Sequence, residues 1–326
     1  MRLLTFLVLE ILLSPVTLTG GCLLMLWSFT VSQQNSVSLT ALLPLFCRWF
    51  LHLQGIRPDA AADSLVKNLP TLNPVLSWAS VAPTLLAMNL SGYTPSNFNV
   101  LPSSKENIGS MMNTRTLFLD RALTRYLESV DQVVILGAGF DTRLLKFCLG
   151  KGLALFEVDQ LATQRIKQRA LCSSGLDTGE ITFVPVDFNQ ENWIEKLTAA
   201  GFETGCRTFF LWEGVTYYLT EAVVVEALKA MAAVSEKGSA IAFDFFPQHF
   251  FEGRDFWWMP SVLPIFAGIG EPFKFGMDTT EGNELAVCKL LQDTGFVLDE
   301  LQMVGAGSTQ QESGFYGLAV VAKGTA

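Results

Sequence analysis

Charged residues are scarce in this chain of 326 residues. They make up 16% of the sequence, whereas about 25% is usual for a globular protein. Half of the residues are apolar, and the mean hydropathy is +0.35. This composition is too apolar for an ordinary soluble enzyme and directs attention to membrane segments. The length allows one large domain with an extension, or two smaller domains.

Runs of lysine and arginine are also missing, and the net charge is -9 with a pI near 4.8. A nucleic-acid binder needs a basic patch to neutralise phosphates, so we expect no nucleic-acid partner. The six cysteines contain no CxxC pair, and the two histidines are far apart. No zinc-site spacing is present, and we expect no metal site and scattered reduced thiols.

The longest apolar segment runs from Leu3 to Val31 and contains one charge, Glu10. At about 1.5 Å per helical residue it can cross a hydrocarbon core of about 30 Å. Two interpretations remain open, a retained membrane anchor and a secretory signal cleaved near Gly20 and Gly21. The anchor is favoured because the apolar stretch continues past the cleavage point through Phe29.

Two shorter apolar stretches follow. Val37 to Leu53 is short for a membrane span and favours an interfacial or buried helix. Val75 to Leu90 contains Pro83 and follows Pro74, which favours a broken helix or a loop packed on another element. The residues from 91 to 104 are typical of a linker.

Three positive charges follow the first segment, namely Arg48, Arg57 and Lys67, whereas Arg2 precedes it. By the positive-inside rule, the three later charges place the rest of the chain in the cytoplasm. We therefore predict a membrane-anchor segment over residues 1–35, a hydrophobic helical extension with a linker over 36–104, and an α/β domain over 105–326.

Beyond residue 105, apolar runs alternate with helical patterns. Five runs are typical of buried parallel strands: 132–136, 153–158, 181–186, 208–212 and 240–246. Helical patterns accompany them, notably over 114–127, 159–170 and 221–234. This alternation predicts a doubly wound, Rossmann-like α/β fold with a mostly parallel sheet. The last two strands, 296–303 and 315–322, are joined by a loop alone and should form an antiparallel pair at the sheet edge.

The first two strands end in residues suited to a nucleoside-containing cofactor. Gly137 and Gly139 would let the backbone approach a ligand closely. Thr142 stands where a dinucleotide-binding fingerprint has its third glycine, which disfavours a nicotinamide-dependent enzyme. Asp159, at the end of the second strand, is suited to accept hydrogen bonds from both ribose hydroxyls. Its other interpretation is an N-cap of the next helix.

The third strand ends in Asp187 and Phe188. Asp187 could accept from an adenine amino group, with Phe188 against the base. Alternatively, Asp187 caps the turn. Carboxyl ends of parallel strands face the ligand crevice in a doubly wound fold. The joint occurrence of the glycine turn, Asp159 and Asp187 at successive strand ends therefore indicates a nucleotide-like cofactor.

Together with the motif Glu213 to Thr220 after the fourth strand, these residues resemble the leucine carboxyl methyltransferase superfamily. The closer match is its bacterial branch of S-adenosylmethionine-dependent O-methyltransferases. Asn113 to Thr116 and Gly270 to Gly276 are similar to that branch as well. The resemblance covers about residues 105–322. It implies a fold of class I methyltransferase type and S-adenosylmethionine as cofactor.

The resemblance also implies roles for individual residues. Arg115 would hold the methionine carboxylate of the cofactor, as a guanidinium can do bidentately; its other interpretation is a surface arginine. Gly137 would lie under the methionine portion and Glu213 beside the sulfonium, with Asp159 at the ribose and Asp187 with Phe188 at the adenine. For Tyr217 and Tyr218, lining of the acceptor pocket and packing after the fourth strand remain open.

The implied reaction is transfer of a methyl group to a carboxylate or hydroxyl of an acceptor. A carboxylate needs no general base. For a hydroxyl, His249 is one candidate base, although a lone histidine in this local sequence is more often structural. The aromatic-rich stretch from Phe245 to Phe275 favours an apolar, lipid-like acceptor or, alternatively, a second small core. The alternative function is a catalytically silent, S-adenosylmethionine-binding membrane module.

Overall fold

The computed structural model describes residues 1–100, 106–188, 191–305 and 314–324. The helices are α1 (Arg2–Asn35), α2 (Leu42–Leu53), α3 (Ala60–Asn68), α4 (Pro74–Ser91), α5 (Met111–Tyr126), α6 (Leu161–Ser173), α7 (Trp193–Ala199), α8 (Glu221–Val234), α9 (Gln248–Phe251), α10 (Met259–Gly268) and α11 (Asn283–Leu291). The strands are β1 (Gln132–Leu136), β2 (Ala154–Asp159), β3 (Ile181–Pro185), β4 (Thr208–Trp212), β5 (Ala240–Phe245), β6 (Phe296–Val304) and β7 (Tyr316–Lys323).

The chain divides into two compact units. The first unit comprises Met1–Asn99, Gly139–Lys146 and Leu161–Thr178. The second comprises Val100–Ala138, Phe147–Gln160 and Gly179–Ala326. This division differs from the predicted boundary at residue 105, because two short segments of the predicted α/β domain join the N-terminal helices.

In the first unit, α1 packs along α4, and α2, α3 and α6 complete an apolar core. Trp49 of α2 and Leu65 of α3 are fully buried in this core, as is Leu171 of α6. Phe140, from the loop after the glycine turn, joins the same cluster. The N-terminal helices therefore have a hydrophobic core of their own, which includes residues from further along the chain.

The predicted break in the third apolar stretch is wrong, since α4 is one helix from Pro74 to Ser91. Pro74 lies in the first turn, where the missing backbone N–H would have no helical acceptor. The Asn73 side chain caps this turn by accepting from the backbone N–H of Val75 and Leu76. Pro83 lies inside the helix and is buried. Packing against α1 maintains the helix despite the local preference against it.

The second unit contains a seven-stranded sheet in the order β3-β2-β1-β4-β5-β7-β6. All neighbours from β3 to β5 are parallel, whereas β7 is antiparallel to both β5 and β6. The sequence prediction of a mostly parallel sheet with an antiparallel last pair at its edge is therefore confirmed. Strands β1 and β4 are buried at every position, which explains their continuous apolar runs.

The sheet order also fixes where a ligand crevice should form. The chain runs outward from β1 to β2 and β3 on one side, and continues through β4 and β5 on the other. In open α/β sheets, ligands bind at the carboxyl ends of the strands where the order reverses. In this chain that point lies between β1 and β4, directly after Leu136 and Trp212.

Within the described residues, α1 is the one helix long and apolar enough to cross a membrane by length and composition. Its large apolar side chains are mostly exposed in the first unit.

Candidate active site

Arg115 of α5 lies at the centre of a buried charged cluster in the second unit. Its side chain is 2% exposed. Its Nε lies 2.9 Å from Oε1 of Glu213, and its Nη1 lies 3.1 Å from both Oδ2 of Asp244 and the hydroxyl of Tyr316. Tyr316 in turn donates to Asp244. Arg115 and Glu213, two separately predicted site residues, are thus in direct contact.

Burial and the neighbouring charges shift the pKa values in this cluster in opposite directions. Burial by itself would lower the pKa of Arg115, but Tyr316, Glu213 and Asp244 raise it well above its ordinary value. Burial raises the pKa of Asp244, while the Arg115 guanidinium opposes that rise. The guanidinium is therefore charged at every physiological pH, and its two carboxylate neighbours surround a permanent positive charge.

Two nitrogens of this guanidinium make no hydrogen bond within the described residues: Nε, whose contact with Glu213 is an ion pair only, and Nη2. Nη2 of Arg115 is buried and has no hydrogen-bond partner among the residues that the structure describes. An unsatisfied buried donor costs about 1–3 kcal/mol, more when it is charged. A ligand carboxylate would satisfy it.

Asp244 and Tyr316 are site residues that the sequence analysis missed. Asp244 lies in β5 and is fully buried. Its Oδ1 accepts from the backbone N–H of Gly214 at 2.8 Å, and its carbonyl accepts from the Thr216 hydroxyl at 2.5 Å. Asp244 therefore holds the turn after β4 in place. A carboxylate inside an otherwise apolar strand was the available signal, because a buried charge requires a partner.

The glycine turn after β1 has no room for a side chain at its first position. Gly137 has φ +63°, and its N–H donates to the carbonyl of Val158 at 2.8 Å. A Cβ at this position would clash with Cγ2 of Val215 in the turn after β4. The turns after β1 and β4 therefore approach each other at the point where the sheet order reverses.

Asp159 and Asp187 lie at the ends of the neighbouring strands β2 and β3. Both are half-buried. The backbone N–H of Val186 donates to the Asp159 carbonyl at 2.9 Å, which links the two strand ends. Oδ1 of Asp159 accepts from the N–H of Gln160, and the N–H of Asp187 donates to Glu191. Both carboxylates thus stand at the same edge of the sheet as Gly137.

Phe188 follows Asp187 and is half-buried at the border of the second unit's core. Its ring packs on Trp193, with the ring centroids 6.5 Å apart and the planes tilted by 56°.

Tyr217 and Tyr218 form a single 3₁₀ turn after β4 and belong to an aromatic cluster. Tyr217 is buried against Phe246 and Phe273, and burial raises its pKa well above the ordinary value. Tyr218 is half-buried and stacks on Phe273 at 5.3 Å. The Tyr217 carbonyl accepts from the N–H of Lys274 at 2.8 Å. The stretch from 270 to 276 thus packs on this turn.

The ring of His249 contacts two other groups of the protein. Its Nε2 lies 3.2 Å from the carbonyl of Gly314 and 3.3 Å from Oδ2 of Asp255. Across residues 1–100, 106–188, 191–305 and 314–324, no group of histidine, cysteine and acidic side chains is arranged to hold a metal ion.

The residues of the Arg115 cluster fit S-adenosylmethionine by charge. The cluster contains one guanidinium and two carboxylates, whereas the cofactor contains a carboxylate, an ammonium and a sulfonium. The unused Nη2 donor would take the carboxylate, and Glu213 and Asp244 would offset the two cationic groups. Asp159 and Asp187 would offer acceptors to the nucleoside end.

The strand order and the antiparallel last pair define a fold of class I methyltransferase type. The family described as leucine carboxyl methyltransferase matches residues 78–232. This match confirms the resemblance that the sequence motifs indicate.

Curated relatives carry the same cofactor in their names. YktD of Bacillus subtilis, provisionally named an S-adenosyl-L-methionine-dependent methyltransferase, is 34% identical over 44% of this chain and 48% of its own. SCO6443 of Streptomyces coelicolor, with the same provisional name, is 27% identical over 66% of this chain and 68% of its own. The chain thus spans about half the length of the Bacillus relative.

Among solved structures, a DUF574-family protein from Streptomyces avermitilis is similar at 14% identity and a TM-score of 0.48. The similarity covers 67% of this chain and 85% of that one.

Proposed function

We propose that this chain is an S-adenosylmethionine-dependent O-methyltransferase that acts on an apolar acceptor at a membrane. The acceptor atom would be a carboxylate or a hydroxyl oxygen. The observation that carries the proposal is the buried Arg115 guanidinium, which has an unused Nη2 donor and two carboxylate partners next to Gly214 in the turn after β4. The names of the curated relatives support the cofactor.

S-adenosylmethionine supplies the reactive methyl group when it is bound. The role of the protein is to orient the cofactor and the acceptor and to exclude water. Arg115 fixes the amino-acid end, Asp159 and Asp187 fix the nucleoside end, and the close turns at Gly137 and Val215 leave little room for solvent. Orientation of this kind lowers a barrier by several kcal/mol, with about 7–11 as the upper range.

The acceptor side of the proposal depends on the aromatic cluster. Tyr218 and Phe273 are half-buried and stack on each other, next to the turn that carries Glu213. Aromatic rings of this kind favour an apolar acceptor. A carboxylate acceptor needs no base near neutral pH, which agrees with the absence of a free histidine near this turn in the part of the chain that the structure describes.

Calorimetric binding of S-adenosylmethionine to the full chain in detergent tests the cofactor. We expect Asp159→Asn to weaken binding about tenfold to a hundredfold, the equivalent of one charged hydrogen bond. Glu226→Gln, an exposed substitution on α8, is the matched control and should bind like the natural chain. Absence of binding by the folded natural chain would contradict the proposal.

Methyl transfer from radiolabelled cofactor into membrane extract and into soluble carboxylic acids tests the acceptor. A product that releases volatile methanol in mild base is a methyl ester, whereas a base-stable product is an ether. Cofactor binding without transfer to any acceptor would favour the silent binding module instead. Equal transfer to soluble acids, with or without lipid, would contradict an apolar acceptor at a membrane.

A further inference from the structure

The burial pattern of the α1 side chains is the reverse of the pattern in an amphipathic helix of a soluble protein. Most of its large apolar residues point outward along the whole helix, whereas its buried residues are Phe6, Leu24 and the small or polar Gly20, Ser28 and Ser32. Four outward residues, seven positions apart, are each exposed by 65–71%: Leu4, Ile11, Leu18 and Met25. A water-facing helix would instead bury its large apolar stripe.

The seam between α1 and α4 has the features of helix packing in lipid. Gly20 lies so close to α4 that a Cβ would stand 2.8 Å from Ala79. Glu10, the one charge of α1 besides Arg2, accepts from the Thr84 hydroxyl at 2.8 Å. Small residues at close approach and polar groups turned inward are typical where the surroundings are hydrocarbon.

The outward face of α1 therefore suits acyl chains better than a protein partner. A protein interface core includes aromatic anchors with a polar rim. Between Arg2 and Asn35 the helix has two exposed aromatic residues, Trp27 and Phe29, but its outward side carries no charge that could form a polar rim. The helix is also about 50 Å long at 1.5 Å per residue, well beyond the hydrocarbon core of about 30 Å.

The residues that pack against α4 limit how the outward face of α1 can contact a bilayer. Trp78, next to the Ala79 that touches the middle of α1, packs on Trp49 of α2 at 5.3 Å. Trp49 adjoins Arg48, whose buried ion pair with Asp141 has an N–O distance of 2.9 Å. If α1 crossed the membrane, this charged pair would lie near the bilayer centre. Charges are costly there.

The chain that follows α4 leads to the same conclusion. Arg2 lies beside Gly92, so the N-terminus of α1 and the end of α4 are at the same end of the pair. The chain then turns back along the pair, and Phe98 packs on Phe50 of α2 at 4.9 Å. A crossing α1 would bring this polar stretch, whose only regular element up to residue 100 is the 3₁₀ turn Ser96–Phe98, into hydrocarbon, where most of its backbone groups would lack partners.

We propose that α1 lies in the plane of a membrane, with its outward face in the acyl chains, and does not cross it. This inference rests on the membrane association in the proposed function and specifies its geometry. The ligand is the hydrocarbon region of a bilayer. Because the outward face is uncharged, neutral phosphatidylcholine should suffice, and anionic lipid or low salt should add little binding.

Flotation of the natural full chain with phosphatidylcholine vesicles tests the association. Leu18→Lys should reduce the floated fraction at least several-fold, because it places a charge in the outward face. Asn35→Lys adds the same charge at the helix end and should leave flotation unchanged. Failure of the natural chain to float would overturn both the membrane association and the in-plane geometry.

The depth of labels in the bilayer tests the in-plane geometry of α1 separately from its association with the membrane. Single cysteines at positions 4, 11, 18 and 25, in a full chain without the natural cysteines, are labelled with nitroxide after flotation has verified binding. An in-plane helix gives four equal, shallow depths. A crossing helix gives depths that change by about 10 Å per step of seven residues. That gradient would overturn the in-plane geometry but not the association.

Self-association is the remaining outcome. Sedimentation of the lipid-free chain in mild detergent, with labels at positions 11 and 18, would show a dimer with immobilised labels if a second copy covered the face. That result would overturn the proposal.

Discussion

The Nε atom of Arg115 lies 2.9 Å from Oε1 of Glu213, and both side chains are almost completely buried. Asp244 shares the same guanidinium from the opposite side. This arrangement combines one guanidinium with two buried carboxyl groups. The carboxyl groups stand where a cationic cofactor would be held.

We predict that Glu213→Gln weakens binding of S-adenosylmethionine about tenfold to a hundredfold while the protein stays folded. The fold should survive because Arg115 keeps Asp244 and Tyr316 as partners. S-adenosylhomocysteine lacks the sulfonium charge, so its affinity should fall less. Calorimetry with both ligands measures the difference. An equal loss for the two ligands would mean that Glu213 does not act on the sulfonium charge.

Gly137→Ala should destabilise the second unit by more than backbone strain alone. The positive φ costs of order 1–3 kcal/mol, and the clash with Val215 adds to it. Gly150→Ala is the matched control, since Gly150 has φ +71° but nothing within 4 Å of the position that an added Cβ would take. Urea unfolding should show a larger loss for Gly137→Ala than for Gly150→Ala. Val215→Ala should recover part of the difference, and no recovery would contradict the clash.

In the first unit, we predict that Asp141→Asn is more destabilising than Arg48→Met. Asp141 pairs with both Arg48 and Arg143, so its loss leaves two buried cations with fewer partners. Breaking a buried pair in this way costs about 3–5 kcal/mol. Arg48→Met leaves Asp141 still paired with Arg143.

The exposed pair Arg207 and Asp131 provides a control for these variants. Arg207→Met should cost no more than about 1 kcal/mol. Chemical denaturation gives the order of the three variants. The reverse order for Asp141→Asn and Arg48→Met would show that Arg48 has the larger structural role.

Glu106 should make stability depend on pH. Burial raises the pKa of this carboxyl above its ordinary value, although hydrogen bonds from Thr114, Gly305 and Gln302 oppose the rise. Between the ordinary and the raised pKa, the folded state binds more protons than the unfolded state. Its contribution to stability is therefore complete below the ordinary pKa of 4.5 and is lost as the pH rises through the folded value.

Glu106→Gln removes this titration. Melting temperatures of the natural chain and the variant, measured from pH 4 to 8, should diverge in favour of the variant as the pH rises. A difference in melting temperature that stays constant from pH 4 to 8 would contradict the raised pKa of Glu106.

The sheet was predictable in detail because its signal is local. Strands β1 and β4 begin and end where their apolar runs do, since both faces of a central parallel strand are covered. The helix α4 was not predictable from its prolines. Local proline preferences argue for a break, whereas the contact with α1 that maintains the helix depends on residues about 60 positions earlier.

The placement of candidate site residues at strand ends was predictable, as for Gly137, Asp159 and Asp187 at the ends of β1, β2 and β3. Asp244 and Tyr316 were missed because their importance comes from meeting Arg115, which lies far away in the sequence. The ion pair of Arg48 and Asp141 was missed for the same reason. Long-range pairing of buried charges leaves only a weak trace in a single sequence.

The discontinuous first unit has a consequence for biosynthesis. Its core requires Gly139–Lys146 and Leu161–Thr178, so it cannot close until roughly half of the chain has left the ribosome. Through that interval α1 is already complete, and neither its outward apolar side chains nor the side that later packs in the core is covered. Such a nascent segment either finds a lipid surface or occupies chaperones. A membrane close to the translating ribosome would therefore protect this chain from aggregation before any of its chemistry begins.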